Sequence, residues 1–195
     1  MTHTVFIDGE AGTTGLQILE RLRGRQGIEL IHLGDNRRRD TAARAGALNT
    51  ADVSILCLPD DASREAVSLI DSPAARIIDA SIAYRTDPDW VFGFPEWAPG
   101  QREKIAVATR VTNPGCYACG SVAILHPLVS AGLVPPDHAT AINAVSGYSG
   151  GGKKLIAAFE DDQADNKTDT AFYLYGLGLE HKHTEEIRVH AGLNS

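Results

Sequence analysis

Residues 4–15 read Thr-Val-Phe-Ile-Asp-Gly-Glu-Ala-Gly-Thr-Thr-Gly, a short apolar run that ends in a glycine-rich loop. Helical spacing follows in residues 16–22, so this loop joins a predicted strand to a predicted helix. Glycines at such a turn let the backbone approach a pyrophosphate, and the helix N-terminus offers amide donors. The spacing G-x-x-G-x-x-G also fits an ordinary tight turn, but its place after the first strand favours a dinucleotide site. The predicted cofactor-binding residues here are Gly9, Gly12, Thr13, Thr14 and Gly15.

Apolar segments and helical segments alternate through the first part of the chain. Further strands are predicted at residues 28–33, 53–58, 77–78 and 105–107. A helix is predicted at residues 64–70, with Asp60 or Asp61 as its cap. Strands that are apolar throughout indicate a parallel sheet covered on both faces. The predicted fold class is therefore α/β, with a Rossmann-like, doubly wound domain over residues 1–113.

The second part, residues 114–195, is predicted to be a separate and incomplete α+β unit. Its first element is an apolar helix over residues 116–131, which Pro127 is expected to end or kink. Strands are predicted at residues 140–145 and 187–193, around a glycine-rich loop at 146–152 and a polar surface segment at 159–170. A last strand with no helix after it is unusual for this architecture.

The composition narrows the classes of partner. Of 195 residues, 43% are hydrophobic and 22% are charged, which is typical of a folded globular protein. The net charge of −7 without a basic stripe argues against nucleic acid, and no apolar run has the length of a membrane span. No secretory signal is recognised, and the three cysteines do not form a disulfide framework. A reducing, cytoplasmic location is expected.

An arginine cluster follows the second predicted strand and bears on the choice of cofactor. Asp35 lies where NAD enzymes place an acid against the ribose diol, but Arg37, Arg38 and Arg39 come directly after it. Arginines at that point suit a 2′-phosphate, which indicates NADP and makes Arg37 and Arg38 the candidate ligands. A solvated charge run is the alternative.

Cys116 is the predicted nucleophile. It follows a Pro-Gly turn and begins an apolar helix, so its thiol lies at the positive end of the helix dipole, which favours the thiolate. Cys57, inside an apolar segment, is interpreted as a buried core residue. Cys116 and Cys119 also form a Cys-x-x-Cys pair, so a dithiol redox site stays an alternative. No second such pair exists for a four-cysteine zinc site, and no metal is predicted.

His183, in the stretch His181-Lys182-His183, is the predicted general acid/base, with His181 as the alternative. Histidine titrates near neutral pH and is the usual residue for this task. Glu186 follows three residues later, and a helical turn would bring its carboxylate to the imidazole.

Taken together, six motifs resemble those of the N-acetyl-gamma-glutamyl-phosphate reductases in their shorter bacterial form, a group within the semialdehyde dehydrogenases. They occur in the same order along essentially the whole chain. The motifs are the glycine loop at 9–15, Asp79-Ala80-Ser81, Gly93-Phe94-Pro95-Glu96, Asn113-Pro114-Gly115-Cys116-Tyr117, Ser146-Gly147-Tyr148-Ser149-Gly150 and His181-Lys182-His183.

This resemblance implies a cytoplasmic, NADP-dependent oligomer that reduces an acyl phosphate to a semialdehyde in arginine biosynthesis, through a thioester on Cys116. It also implies anion binding by Arg85, with Ser149, Lys153 and Lys182 as weaker substrate-binding candidates. Members of the group are longer than 195 residues, so the resemblance implies an incomplete catalytic domain. Reduction of an aspartyl or aminoadipyl phosphate, or a non-catalytic NADP-binding module, are the alternatives.

Overall fold

The computed structural model describes residues 1–194, and a parallel sheet of six strands forms its centre. The strands lie in the order β2-β1-β3-β4-β6-β5, and every neighbouring pair is parallel. They are β1 (His3–Asp8), β2 (Ile28–Ile31), β3 (Val53–Leu56), β4 (Arg76–Asp79), β5 (Val91–Phe92) and β6 (Arg110–Thr112). The strand order reverses between β1 and β3, which is where doubly wound sheets bind ligands. The predicted α/β class is confirmed.

Seven α-helices accompany the sheet in the part of the chain that the structure describes. They are α1 (Thr13–Leu22), α2 (Thr41–Thr50), α3 (Asp60–Ser68), α4 (Gln101–Val107), α5 (Cys116–Ser130), α6 (Gly152–Glu160) and α7 (Thr184–Ala191). A single 3-10 turn, Tyr148–Gly151, precedes α6. Helix α2 has a side-chain cap, since the Asp40 carboxylate accepts a hydrogen bond from the Ala43 N–H at 2.6 Å.

The apolar core lies between the sheet and the helices α2 and α3. Phe6, Leu56 and Ile77 project from three neighbouring strands onto Leu48 of α2 and Ala66 of α3, and all five are buried. Period-2 alternation puts the neighbouring residues of β3 and β4 on the other face of the sheet. There, Ile55 and Ile78 are only half-buried and line a pocket of about 650 Å³ beside α1.

Three predicted strands are wrong. Residues 105–107 end helix α4, whose sequence QREKIAV contains good helix formers, and the strand of that region is β6. Residues 140–145 are exposed and pair with no described strand. Residues 187–193 belong mostly to α7, which begins after His183 and ends at Gly192, where the backbone is left-handed with φ 79°.

Smaller details of the helices also differ from expectation. Asp60 and Asp61 lie in the first turn of α3 and do not cap it. Pro127 does not end α5, which continues to Ser130, and the Pro127 carbonyl accepts a hydrogen bond from the Ala131 N–H at 3.0 Å. The predicted surface segment at 159–170 starts inside α6 and is largely exposed beyond it.

Candidate active site

The glycine loop forms a tight turn between β1 and α1. Gly9 has φ 91°, and a Cβ on it would run into the carbonyl oxygen of Cys57 at the end of β3. A Cβ on Gly15 would run into the carbonyl oxygen of Gly9. Both glycines are therefore required by the turn itself, whereas Gly12 is exposed and forms the N-cap of α1. The amides of Thr13 and Thr14 open this helix without intrahelical acceptors, as an anion site requires.

A pocket of about 320 Å³ lies beside this loop. Gly9 and Glu10 of the loop line it, as do Arg38 and Arg39. Arg37 is exposed and is not among the lining residues, so the structure brings Arg39 to the pocket where the sequence pointed to Arg37. Asp35 is exposed as well, and its carboxylate lies 3.6 Å from the Arg38 guanidinium. A pocket lined by both the glycine loop and these arginines fits a phosphorylated dinucleotide.

A buried ion pair supports the floor of this pocket and was not anticipated from the sequence. The guanidinium of Arg44 in α2 donates to the Asp8 carboxylate at the end of β1, with Arg44 Nη2 3.0 Å from Asp8 Oδ2. The same guanidinium reaches Glu65 Oε1 at 3.3 Å. Burial raises the pKa of Asp8 above its ordinary value, although Arg44 opposes this shift. The pair ties the last residue before the glycine loop to α2.

Cys116 begins helix α5, as predicted, and its side chain is exposed. Gly115 is the N-cap, and the first-turn amides that follow it have no intrahelical acceptor. The other two cysteines are partly buried. Burial raises the pKa of the Cys57 thiol to about 11, and burial together with Glu186 raises that of Cys119. Cys116 is therefore the thiol most accessible to a substrate.

His183 and Arg85 lie against Gly115, directly before the predicted nucleophile. A Cβ on Gly115 would lie 2.5 Å from Arg85 Nη1 and 2.5 Å from His183 Nε2. His183 is 4% exposed, and Arg85, from the loop after β4, is 7% exposed. Burial, with Arg85, His181 and Lys182 nearby, lowers the pKa of His183 to about 4. Its imidazole is therefore neutral at pH 7 and can accept a proton.

Glu186 does not orient the His183 imidazole, contrary to the sequence-based expectation. Its carboxylate accepts a hydrogen bond from the Gly115 N–H at 2.8 Å and from Arg85 Nη1 at 3.0 Å. His183 Nδ1 is buried and has no hydrogen-bond partner among residues 1–194. The helix α7 turns Glu186 toward the chain that precedes Cys116, so this carboxylate joins α7, the Arg85 loop and the start of α5.

The weaker substrate-binding candidates Ser149 and Lys182 lie on the segments before α6 and before α7, and Lys182 is close enough to His183 to contribute to lowering its pKa. Ser149 lies in the 3-10 turn, and Lys182 is exposed on the segment before α7. Lys153 at the start of α6 instead reaches the glycine loop, where its ammonium donates to the Ala11 carbonyl at 2.5 Å. Tyr117 contacts the ring of His183, with the two ring centroids 5.8 Å apart.

Two further observations concern metals and membranes. Among residues 1–194, no group of three or more His, Cys, Asp or Glu side chains is placed to hold a metal ion. None of the helices described above combines the length and the apolar character that crossing a bilayer requires.

Two family models match the chain. The model described as "Semialdehyde dehydrogenase, NAD binding domain" matches residues 4–107, and "Semialdehyde dehydrogenase, dimerisation domain" matches residues 116–195. Among solved structures, aspartate semialdehyde dehydrogenase II from Vibrio cholerae superimposes with a TM-score of 0.52 at 16% identity, covering 81% of this chain and 50% of that one. The Francisella tularensis aspartate semialdehyde dehydrogenase gives 0.52 at 13% identity, covering 81% and 48%. These two likenesses show the fold.

Curated relatives are much more similar in sequence. The N-acetyl-gamma-glutamyl-phosphate reductase of Burkholderia lata is 56% identical over 192 residues, which cover 98% of this chain and 60% of that protein. The protein named N-acetyl-gamma-glutamyl-phosphate reductase 2 in Pseudomonas putida is 54% identical over 194 residues, covering 100% and 61%. The chain thus spans about 60% of the length of the curated relatives it matches.

Proposed function

The chain belongs to the semialdehyde dehydrogenase family, and on that premise we propose that it is an NADP-dependent oxidoreductase that reduces N-acetyl-gamma-glutamyl phosphate. The product is N-acetylglutamate semialdehyde, with release of phosphate, as a step of arginine biosynthesis. The substrate follows the names of relatives that are 56% and 54% identical to this chain. The relatives favour this substrate over the aspartyl or aminoadipyl phosphates.

One observation carries the proposal: three groups that acyl-phosphate chemistry needs converge on Gly115. An exposed thiol follows it at Cys116, and the His183 imidazole and the Arg85 guanidinium pack against it. A nucleophile, a neutral base and an anion-binding group within a few ångströms are the parts of covalent acyl transfer.

The thiolate of Cys116 attacks the carbonyl carbon of the acyl phosphate. The bond from that carbon to the phosphate oxygen breaks, the phosphate leaves with the electron pair, and a thioester remains on Sγ. The first-turn amides of α5, which have no intrahelical acceptor, would donate to the oxygen that gains negative charge. Arg85, which packs against Gly115, would bind the phosphate.

A nicotinamide cofactor, when bound, supplies the hydride that reduces this acyl group. Hydride addition leaves an oxyanion on the thiohemiacetal, which takes a proton from solvent; His183, neutral because its pKa is held near 4, accepts that proton as the carbonyl re-forms and returns it to solvent. The C–S bond breaks as this proton leaves, so the semialdehyde departs and Cys116 is again a thiolate.

The proposed cofactor site combines the glycine loop with two arginines that line the same pocket. Gly12, Thr13 and Thr14 would hold the pyrophosphate at the start of α1. Arg38 and Arg39, which line the pocket beside the loop, would bind the 2′-phosphate of NADP. Arg39 thus takes the place of Arg37, beside Arg38, as a candidate ligand of the 2′-phosphate.

Partners and location follow from the family. The match of a dimerisation domain to residues 116–195 supports a homo-oligomer in solution. A cytoplasmic location fits a biosynthetic enzyme with a working thiol, and the three cysteines are free. The proposed boundary between the cofactor domain and the catalytic domain stays at residues 113 and 114.

The test is NADPH oxidation with N-acetylglutamyl phosphate, followed at 340 nm together with phosphate release. Cys116→Ser should abolish turnover and retain NADPH binding, because the glycine loop is untouched, and Cys119→Ser is the matched control that should remain active. Iodoacetamide should modify Cys116 fastest of the three thiols, since the pKa values of Cys57 and Cys119 are raised. Turnover by Cys116→Ser with loss in Cys119→Ser would replace this mechanism with the dithiol alternative.

A further inference from the structure

His190 lies one helical turn after Glu186 on α7, and both side chains hold the same residue. Glu186 accepts from the Arg85 guanidinium, and His190 Nε2 contacts the Arg85 carbonyl oxygen at 2.6 Å. A carbonyl oxygen only accepts, so His190 must carry its proton on Nε2 and donate. His190 is 9% exposed and Arg85 is 7% exposed, so water competes little for this hydrogen bond.

We propose that His190 is a positioning residue that fixes the backbone of Arg85 and thereby aims the Arg85 guanidinium at the site before Cys116. The expected effect on KM rests on the proposed function, whereas the hold of His190 on Arg85 does not depend on it. Arg85 lies in a loop between β4 and β5, so its backbone has no sheet partners to hold it. The loop itself accepts from the Arg85 N–H at the Ile82 carbonyl, 3.2 Å away, and from Arg85 Nη2 at the Ala80 carbonyl, 2.9 Å away. Helix α7 adds one contact at each end of Arg85, through Glu186 at the guanidinium and His190 at the carbonyl.

The His190 ring is itself held rigidly, as an anchor must be. It stacks on Phe92 with ring centroids 3.6 Å apart and an interplanar angle of 11°. The His190 carbonyl accepts from the Trp97 indole N–H at 2.7 Å. Burial lowers the pKa of His190, so the neutral ring persists at pH 7 and its tautomer is set by the Arg85 carbonyl.

Loss of this anchor would change the charge that a substrate meets. Arg85 compensates the carboxylate of Glu186, and both charges act on the neighbouring Cys119 thiol with opposite sign. If the Arg85 carbonyl is released, the guanidinium shifts within its contacts to Glu186 and Ala80, and the Glu186 carboxylate beside Gly115 is compensated less well. An anionic acyl phosphate would then be bound less tightly, while the distant glycine loop and its cofactor would be unaffected.

The test compares His190→Gln with His190→Met, two side chains of equal length of which only Gln has an N–H to donate. His126→Met is the matched control, because His126 lies in the same aromatic cluster, 5.3 Å from the Trp97 ring centroid, and does not contact Arg85. With N-acetylglutamyl phosphate, His190→Met should raise KM about fivefold, the equivalent of one hydrogen bond, at unchanged NADPH affinity. His190→Gln and His126→Met should stay near the wild type.

A second readout needs no turnover. The rate of Cys116 modification by the anion iodoacetate, divided by that by neutral iodoacetamide, reports the local charge, and His190→Met should lower this ratio about threefold. A lowered ratio in a protein that does not reduce the acyl phosphate would support the positioning role and refute the proposed function. Equal ratios in His190→Met, His190→Gln and the wild type would overturn the inference.

If His190→Met does not fold, an NMR measurement on the wild-type protein tests the inference. Its long-range ¹⁵N spectrum should show the His190 proton on Nε2 at pH 7, since the Arg85 carbonyl can only accept. A proton on Nδ1 would overturn the inference, because His190 could then donate nothing to Arg85.

Discussion

Gly115→Ala is the substitution for which the structure gives the sharpest expectation. The backbone of Gly115 has φ −67°, which any residue adopts, so the methyl group itself decides the outcome. That methyl carbon would lie 2.5 Å from Arg85 Nη1, 2.5 Å from His183 Nε2 and 2.7 Å from His183 Cδ2. Ordinary contacts between such atoms are about 3.5–4.0 Å, so both side chains must retreat by about 1 Å or more.

Neither side chain can retreat at low cost. Arg85 is held by Glu186 and His190, and His183 is buried at the start of α7. Overpacking of this kind typically costs about 1–3 kcal/mol. For a chain of this size, each kcal/mol lowers Tm by about 2–4 °C, so a Tm lower by roughly 4–8 °C is expected at the middle of that range.

The control lies in the same helix. A Cβ on Gly120 meets nothing within 4 Å, so Gly120→Ala should gain about 0.5–1 kcal/mol from helix propensity. Thermal unfolding followed by circular dichroism measures both variants. Gly115→Ala/His183→Ala should recover part of the loss, because it removes the ring that the methyl group meets.

The kinetic expectation for Gly115→Ala is stronger than the thermal one. Displacing His183 and Arg85 from the residue before Cys116 should lower kcat/KM for the acyl phosphate by about a hundredfold, since misplacement by 1 Å has that scale. NADPH binding should not change. A Gly115→Ala protein as stable and as active as Gly120→Ala would refute the convergence on Gly115, and with it the assignment of the site.

Two further predictions concern the cofactor pocket and the titration of His183. Arg38→Ala and Arg39→Ala should each lower the preference for NADPH over NADH about tenfold in equilibrium binding, which is the scale of one charge-assisted hydrogen bond. Arg37→Ala is the control and should leave this preference unchanged. An effect of Arg37→Ala alone would reassign the 2′-phosphate site. The pKa of His183 falls from 6.5 to about 4 on folding, so the unfolded chain binds more protons between those values and stability is lost as the pH falls through that window. Because of this group, the free energy of unfolding measured in urea should be about 2 kcal/mol lower at pH 5 than at pH 7. His183→Asn should remove this part of the pH dependence. If the difference between pH 5 and pH 7 is unchanged in the variant, His183 is not its source.

The nucleotide-binding half was largely predictable because local pattern and tertiary structure agree there. The apolar run of β1 and the glycine loop lie next to each other in sequence and in space, and the turn demands Gly9 and Gly15 for steric reasons. The strand predicted at residues 105–107 was wrong because a run of three apolar residues does not distinguish a strand from the last turn of a helix, here α4. Arg39 was missed in favour of Arg37 because side-chain direction in an irregular segment has no periodicity to reveal it.

The site around Cys116 depends on contacts that no local pattern encodes. Glu186 is 71 residues from Gly115 and 101 from Arg85 along the chain, so its partners could not be predicted from spacing. The expected contact of Glu186 with His183 assumed that three residues on a helix bring side chains together, but His183 is the N-cap and not part of the helix. Its ring is consequently directed at Gly115 by the entering chain.

The error at residues 187–193 bears most directly on function, because a strand there could not build this site. Alternating side chains would put residues four apart on one face at about 13 Å, too far for Glu186 and His190 to hold a single residue. A helix rises about 6 Å over the same interval, so both side chains can reach the single residue Arg85, as they do here. The signals for the helix were present, with Glu185 and Glu186 in its first turn and Gly192 after its last residue. These end signals therefore specify both the element and the two-point hold on Arg85 that the proposed chemistry needs.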